Sequence, residues 1–216
     1  MPIDCYYVPG GAPSRNVLLA AKACGVELNL KYLDLMSGEQ MSPEFLKLNP
    51  LHTVPTINDN GFVLCESRPI MTYLADQYGK DENLYPKDPK KRAIVDQRLY
   101  FDMGTMYGRF ADYYYPVIFG GGSYDPDKLE KIKEAFTFLD QLIDNNDFAA
   151  GSNLTLADLA LASTVSTYEL VGFDFSSYKN VARWFEKAKA TIPGYEEANA
   201  EPLQQFKALM EKLAKK

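Results

Sequence analysis

The chain has 216 residues, of which 46% are hydrophobic and 24% are charged, and these fractions are typical of a globular protein. Its formal net charge of −6 argues against nucleic-acid binding through phosphate contacts. The single histidine, His52, argues against a Ser-His-Asp hydrolase and against a multi-histidine site, so we expect no metal.

The N-terminus shows no secretory signal, and no apolar run is long enough to cross a membrane. The three cysteines, Cys5, Cys24 and Cys65, form no CxxC pair, which indicates a reducing compartment and no disulfide framework. We therefore expect a cytoplasmic protein with neither a membrane partner nor a nucleic-acid partner.

The first 80 residues predict alternating strands and helices. Strands are predicted at 3–8, 28–32, 53–57 and 62–65, and helices at 13–24, 42–49 and 67–78. Pro13 suits the first turn of the first helix, Gly25 suits its C-terminal cap, and Ser67 suits the N-cap of the third. The order β-α-β-α-β-β-α, with the first two strands parallel, is that of a thioredoxin-like α/β domain.

Beyond Tyr85 the pattern changes to long helices, which predicts an all-helical (all-α) second domain. Helices are predicted to begin at Asp88, Asp125 and Thr155, and two more to span 178–191 and 202–213. Thr155 and Asp158 have the spacing of a capping box. The predicted domains are therefore residues 1–80 and 88–216, joined by a short linker.

The step Val54-Pro55 lies just before the predicted hairpin. Proline cannot donate a hydrogen bond to a sheet ladder, so Pro55 must sit at an edge or in a special turn. On this residue alone an ordinary edge proline is favoured, because only about 5% of X–Pro bonds are cis. The alternative, a cis peptide, would leave the Val54 backbone free to pair with an extended ligand.

The triplet Glu66-Ser67-Arg68 stands at the predicted N-terminus of the third helix. A helix N-terminus with a hydroxyl and a guanidinium can hold a carboxylate, and a neighbouring carboxylate can take an ammonium group. The triplet therefore predicts a receptor for an amino-acid zwitterion. By itself, a capped helix with solvated charges is the favoured interpretation.

Taken together, the element order, these two motifs, the helical second half and the capping box resemble a cytosolic glutathione transferase over essentially the whole chain. The insect delta class is the most similar, and the epsilon class is next. The segments that carry the resemblance are Tyr6–Gly10, Glu44–Pro50, His52–Thr56, Glu66–Ile70 and Gln97–Asp102. The resemblance implies glutathione as co-substrate, a hydrophobic electrophile as the second substrate, and a homodimer.

The resemblance also implies a glutathione site. The residues that it assigns to glutathione are Gln40, His52, Val54, Pro55, Glu66, Ser67 and Arg68. The Val54 backbone would pair with the cysteinyl unit, Glu66 would hold the γ-glutamyl ammonium, and the two residues after it would hold the γ-glutamyl carboxylate. His52 would lie near the glycyl carboxylate, where the family often has a second histidine and this chain has Gln40.

The chain departs from the delta-class pattern at the first turn between strand and helix. After Pro9-Gly10 that class places a catalytic serine, whereas this chain has Gly11, which has no side chain to donate to the glutathione sulfur. Ser14 is the preferred replacement, and Tyr6 or Tyr7 on the strand is a weaker one. Backbone N–H groups at the helix N-terminus are expected to stabilise the thiolate in part.

Aromatic residues concentrate toward the end of the long helix after residue 100. The matching segment of the family lines the electrophile pocket, and the preferred lining residues are Tyr107, Phe110, Tyr115, Phe119 and, from the last helix, Phe206. Tyr113 and Tyr114 are expected to be core residues instead. Tyr100 resembles a delta-class dimer contact, in which aromatic rings of two subunits meet.

The leading interpretation is a transferase that joins glutathione thiolate to a hydrophobic electrophile, with turnover lowered by the absent serine. A non-catalytic carrier of glutathione or hydrophobic ligands is the alternative. An interaction module on the same fold is disfavoured by the intact Glu66-Ser67-Arg68 and His52. A thiol oxidoreductase is disfavoured because Cys5 lies within the first strand and not at its C-terminal turn.

Overall fold

The computed structural model describes residues 2–214, whose contacts group into two compact units. The first unit takes the chain up to Asp81 with Pro193–Phe206, and the second takes Glu82–Ile192 with the chain from Lys207 onward. The predicted domains, 1–80 and 88–216, place the segment 193–206 in the helical domain. Their limits stay a prediction.

The first unit contains a four-stranded mixed sheet with helices. Its strands are β1 (Ile3–Tyr7), β2 (Leu28–Tyr32), β3 (Thr56–Asp59) and β4 (Phe62–Cys65), in the order β2-β1-β3-β4. Its first helices are α1 (Ala12–Cys24), α2 (Pro43–Leu48) and α3 (Ser67–Tyr78), with a 3-10 turn at Glu39–Met41. Because β1 is parallel to β2 and antiparallel to β3, the predicted thioredoxin-like arrangement is confirmed.

The hairpin is shifted relative to its prediction. β3 begins at Thr56 and not at residue 53, because the residues before it form a turn. It continues to Asp59, and the chain reverses over Asn60 and Gly61, whose φ values of 50° and 95° are those of a two-residue hairpin turn. Asp59 is therefore a strand residue and not part of the turn.

The predicted N-cap of α3 is also wrong by one residue. The N-cap is Glu66, whose carbonyl oxygen already accepts a hydrogen bond from the N–H of Ile70 at 3.0 Å. Ser67 is the first helical residue, so its hydroxyl is not used to cap the helix. This leaves the Ser67 side chain available for other partners.

The segment Pro193–Phe206 packs against the turn after β1. A Cβ atom at Gly10 would lie 2.6 Å from Cβ and 2.7 Å from the backbone nitrogen of Phe206, so this approach requires glycine. The buried Arg15 side chain links the same elements, because Nε donates to the Gly10 carbonyl at 3.3 Å and Nη1 donates to Oδ1 of Asn199. The N-terminus of α1 is thereby fixed within the unit.

The second unit is helical, as predicted. Its helices are α4 (Pro89–Phe101), α5 (Gly108–Gly120), α6 (Pro126–Ile143), α7 (Leu156–Leu170) and α8 (Lys179–Thr191), and α9 (Glu201–Leu213) begins in the first unit and ends in the second. A π-helical segment, Asp102–Tyr107, joins α4 to α5. None of the helices within residues 2–214 is both long and apolar enough to cross a membrane.

A buried carboxylate organises the core of the second unit. Asp158 accepts hydrogen bonds from the backbone N–H of Ala149 at 2.7 Å, from the backbone N–H of Thr155 at 2.9 Å and from Nε1 of Trp184 at 2.8 Å. The capping box predicted from Thr155 and Asp158 is confirmed. The same side chain therefore caps α7 and links it to α8.

Candidate functional site

The sheet register brings the predicted glutathione residues to one end of the first unit. The parallel strands β1 and β2 end together at Tyr7 and Tyr32, and β3 starts beside them, where Thr56 pairs with Tyr6. β4 ends at the same place, since Cys65 pairs with Thr56. Four connections therefore open at this end of the sheet: residues 8–11, 33–42 and 49–55, and the junction between β4 and α3.

Asn49 organises the connection that carries His52. Its buried Nδ2 donates to the carbonyl oxygen of Thr53 at 3.0 Å and to Oγ1 of Thr56 at 2.9 Å, while the N–H of His52 donates to the Asn49 carbonyl at 3.0 Å. Sequence reasoning assigned Asn49 no role. The signal that could have found it is an asparagine between a helix end and a proline, where its amide commonly bonds a turn backbone.

The peptide between Val54 and Pro55 is cis. The edge-proline interpretation, favoured on Pro55 alone, is therefore wrong, and the alternative is correct. Within residues 2–214, no hydrogen bond reaches the backbone of Val54, so its N–H and carbonyl groups can pair with an extended ligand. His52, two residues earlier, is exposed, with φ at 48°.

The junction between β4 and α3 presents the Glu66-Ser67-Arg68 triplet. Glu66 is exposed and has φ at 69°, in the left-handed region that residues other than glycine rarely adopt. Ser67 and Arg68 begin α3 and are largely buried, and Nη1 of Arg68 donates to Oγ of Ser67 at 2.9 Å. A helix N-terminus, a hydroxyl and a guanidinium thus lie together, directly after an exposed carboxylate.

The turn after β1 contains position 11, where the delta-class pattern has its serine. Gly11 is the N-cap of α1, and no side chain within residues 2–214 caps this helix end. The N–H of Gly11 donates to the Val8 carbonyl at 3.3 Å, so it is used within the turn. Ser14 is 2% exposed, and its Oγ accepts a hydrogen bond from the N–H of Val8 at 3.3 Å. Ser14 therefore ties the turn together, and its contact with a thiolate stays a prediction.

The surroundings of three other side chains on β1 do not favour a catalytic role for them. Burial, with a smaller contribution from Cys5, raises the pKa of Tyr7, which makes its phenol a weaker hydrogen-bond donor. Tyr6 packs edge-on against Phe45, with ring centroids 5.6 Å apart, as a structural residue does. Burial raises the pKa of the Cys5 thiol to about 12, so this thiol is a poor nucleophile.

Gln40 lies in the connection between β2 and α2. Its Nε2 donates to the Leu35 carbonyl at 3.4 Å, and its buried Oε1 has no hydrogen-bond partner among residues 2–214. The nitrogen is the group that a carboxylate would need, and the internal bond uses one of its two N–H donors. The contact of Gln40 with a glycyl carboxylate stays a prediction. Over the same residues, no cluster of three or more histidine, cysteine or acidic side chains is arranged to hold a metal ion.

Both halves of the sequence match one family. Residues 1–76 match the family described as glutathione S-transferase, N-terminal domain, and residues 110–191 match glutathione S-transferase, C-terminal domain. A solved delta-class glutathione transferase of Nilaparvata lugens is 61% identical, with 98% of this chain and 100% of that chain covered and a TM-score of 0.96. The chain belongs to the glutathione S-transferase family.

Two further solved structures are similar to this transferase. A Bombyx mori glutathione transferase is 44% identical, with 97% of this chain and 98% of that chain covered and a TM-score of 0.94. An epsilon-class enzyme from the housefly, Musca domestica, is 34% identical, with 98% of each chain covered and a TM-score of 0.91. The predicted resemblance to the delta class, with the epsilon class next, is confirmed.

Four of the five predicted pocket residues of this transferase form two layers in the second unit, whereas Phe206 lies in the first unit, buried against Gly10, and its contact with an electrophile stays a prediction. The hydroxyl oxygens of Tyr107 and Tyr115 lie 3.1 Å apart, and the Tyr115 ring contacts that of Phe119, with centroids 5.4 Å apart. We call Tyr107, Tyr115 and Phe119 the aromatic patch. Phe110 is 1% exposed and packs under Tyr115, with ring centroids 5.7 Å apart, so it supports the patch from the core. The two residues predicted to be core are buried, Tyr113 and Tyr114.

Proposed function

We propose that this transferase conjugates glutathione to hydrophobic electrophiles, with lower turnover than a hydroxyl at position 11 would give. The proposal is carried by the convergence, at one end of the sheet, of the unpaired Val54 backbone, the N-terminus of α3 and the N-terminus of α1. Val54, beside Pro55, pairs with the cysteinyl backbone, and Glu66 takes the γ-glutamyl ammonium. Ser67 and Arg68 hold the adjacent carboxylate through a hydroxyl, a guanidinium and helix N–H groups.

The glycyl end of glutathione faces fewer charged side chains than the γ-glutamyl end. His52 and Gln40 face the glycyl carboxylate in this proposal, and Gln40 adds no charge of its own. The binding energy therefore comes mainly from the γ-glutamyl end, where both charges of the zwitterion find partners of opposite sign.

The sulfur lies at the first turn of α1, where backbone N–H groups lack partners within the helix and Gly11 offers no hydroxyl. A free thiol has a pKa of about 8.5 and is already roughly one-tenth thiolate at about pH 7.5. A hydrogen bond to a charged group contributes about 1.5–3 kcal/mol, which is roughly one to two pKa units. Its absence therefore lowers turnover by about tenfold to a hundredfold at a pH below both pKa values, and by less at higher pH, without abolishing glutathione binding.

The electrophile binds on the aromatic patch, with Phe110 beneath it. Exposed aromatic surface with few charges suits a bulky apolar substrate, and Phe119 is 47% exposed. The thiolate attacks an electrophilic carbon of this substrate, and the protein contributes by binding and orienting the two reactants.

A carrier of glutathione or hydrophobic ligands is the second candidate, because position 11 offers no side chain to activate the thiol. The test measures glutathione affinity by calorimetry and turnover with an aryl halide on the same purified sample. Micromolar to millimolar affinity with measurable turnover supports the transferase. Binding without turnover supports the carrier, and the absence of glutathione binding overturns the transferase and the glutathione carrier.

We also propose that the protein is a cytoplasmic homodimer. Three large apolar side chains on α4 and the segment after it are exposed, Ile94, Tyr100 and Met103. Tyr100 is 70% exposed, which suits the predicted contact with a second copy. All three cysteines are free, which supports the reducing compartment.

A further inference from the structure

Asp59, the last residue of β3, accepts hydrogen bonds from two tyrosines of α3. It is 6% exposed, and its Oδ2 receives the hydroxyl of Tyr73 at 2.7 Å and the hydroxyl of Tyr78. Its Oδ1 receives Nδ2 of Asn60 at 2.8 Å. These bonds, with that from Tyr78 the strongest, hold the pKa of Asp59 below its usual range, so the acceptor is a carboxylate at neutral pH.

The three residues close a loop of the chain. From the hairpin turn, β4 runs to Glu66, and α3 then carries the chain back until Tyr73 and Tyr78 meet Asp59. Phe62, which pairs with Asp59 in the hairpin, packs its ring on Tyr73 with centroids 5.0 Å apart. The hairpin is thus attached to the second half of α3, while a single residue connects β4 to the start of that helix.

A helix that is held at both ends has a better defined direction than a helix that is held only at its start. Glu66 has φ at 69°, and a non-glycine residue keeps such a conformation only when the surrounding structure enforces it. The buried face of α3 and, at the far end of the helix, its bonds to Asp59 together supply that constraint. The direction of α3 in turn decides where the side chains of Ser67 and Arg68 and the first N–H groups point.

We infer that Asp59, bound by Tyr73 and Tyr78, is a positioning residue that aligns the N-terminus of α3 for the γ-glutamyl group of glutathione. The inference rests on the proposed function, because it takes that helix end as the receptor for the γ-glutamyl zwitterion. Asp59 acts through α3 and does not touch the ligand. Its loss should therefore weaken glutathione binding and leave the electrophile and the sulfur unaffected.

The test compares Tyr73→Phe, Tyr78→Phe, the double variant and Asp59→Ala with the wild type by glutathione calorimetry and steady-state kinetics. Tyr73→Phe and Tyr78→Phe each keep one of the two tyrosine hydrogen bonds to Asp59, and each should raise the glutathione Kd about threefold. The double variant and Asp59→Ala lose both bonds and should raise it about tenfold. The KM for the electrophile, and kcat at saturating glutathione, should stay within about twofold of wild type.

Two further variants make the result specific. Ile3→Val is the matched control, since it removes a buried methyl group from β1, outside the hairpin and α3, and should leave the glutathione Kd unchanged. Glu66→Ala removes a direct contact and should weaken binding if the site is where we propose. If Asp59→Ala does not fold, the double tyrosine variant, which keeps the carboxylate, tests the positioning role instead.

A folded Asp59→Ala or double tyrosine variant with wild-type glutathione affinity overturns the positioning role, while weakened Glu66→Ala binding shows that the proposed site stands. Unchanged affinity in Glu66→Ala overturns the proposed site as well. An equal loss of affinity in Ile3→Val would mean that general stability, and not alignment of α3, is responsible.

Discussion

Replacing Gly11 by serine should supply the hydrogen bond that this transferase is proposed to lack. The position has room, since a Cβ atom there would lie 3.7 Å from the Val8 carbonyl oxygen and 4.0 Å from Oγ of Ser14, which are ordinary contacts. The backbone is suitable as well, because its φ of −69° and ψ of 129° are typical of a helix N-cap. A serine oxygen there can accept from an N–H of the first turn while its hydrogen is donated to the sulfur.

The expected gain follows from the strength of one hydrogen bond to a charged group, about 1.5–3 kcal/mol. This lowers the pKa of the bound thiol by roughly one to two units from about 8.5. At about pH 6.5 the thiolate fraction then rises from roughly 1% to between roughly 10% and 50%. The gain in kcat/KM should therefore be at least about tenfold at this pH, and it should disappear at a pH above both pKa values.

The assay is the pH profile of kcat/KM with an aryl halide, for wild type, Gly11→Ser and the control Gly11→Ala. The alanine variant adds the same Cβ atom without the hydroxyl, so it should match the wild type. Protein stability should not fall in Gly11→Ser, since serine is at least as good an N-cap as glycine. The reasoning is refuted if Gly11→Ser and Gly11→Ala have the same profile, because the hydroxyl would then play no part.

Three further predictions concern other parts of the chain. Asp158→Ala leaves three buried N–H donors without their acceptor and should lower the free energy of unfolding by at least about 3 kcal/mol in denaturant titration; a loss below about 1 kcal/mol would contradict the capping role. Iodoacetamide should label Cys65 well before Cys5 and Cys24 in the folded protein, since burial raises the pKa of the latter two to about 12 and about 11; mass spectrometry showing equal labelling would contradict this. Tyr100→Ala should weaken the dimer in sedimentation measurements and change the unfolding of a single chain by less than about 0.5 kcal/mol, and an unchanged dimer would exclude Tyr100 from the interface.

Local sequence signals predicted most elements of the fold. The left-handed cap at Gly25, the aspartate caps before α4 and α6, and the capping box at Thr155 each depend on residues a few positions apart, and each is present in the structure. The errors are also local. β3 starts late because the Asn49 bonds hold the preceding residues in a turn, and the N-cap of α3 moves to Glu66 because that residue takes a positive φ.

Contacts between distant residues could not be predicted from single-sequence patterns. The bonds from Tyr73 and Tyr78 to Asp59 join residues 14 and 19 positions apart, and neither tyrosine carries a local motif. The approach of Phe206 to Gly10 joins the two ends of the chain. The site residues Glu66, Ser67 and Arg68 were nominated by their chemistry at a helix start, but the sheet register that gathers them with Val54 required the structure.

The most direct test of this account is a calorimetric comparison of glutathione with cysteinylglycine, which lacks the γ-glutamyl group. The account places the receptor for that group at Glu66, Ser67 and Arg68, where a carboxylate, a hydroxyl and a guanidinium meet the N-terminus of α3. It predicts micromolar to millimolar affinity for glutathione and affinity at least about tenfold weaker for cysteinylglycine, since the charge-assisted bonds are lost. Equal affinity for the two peptides would contradict the account.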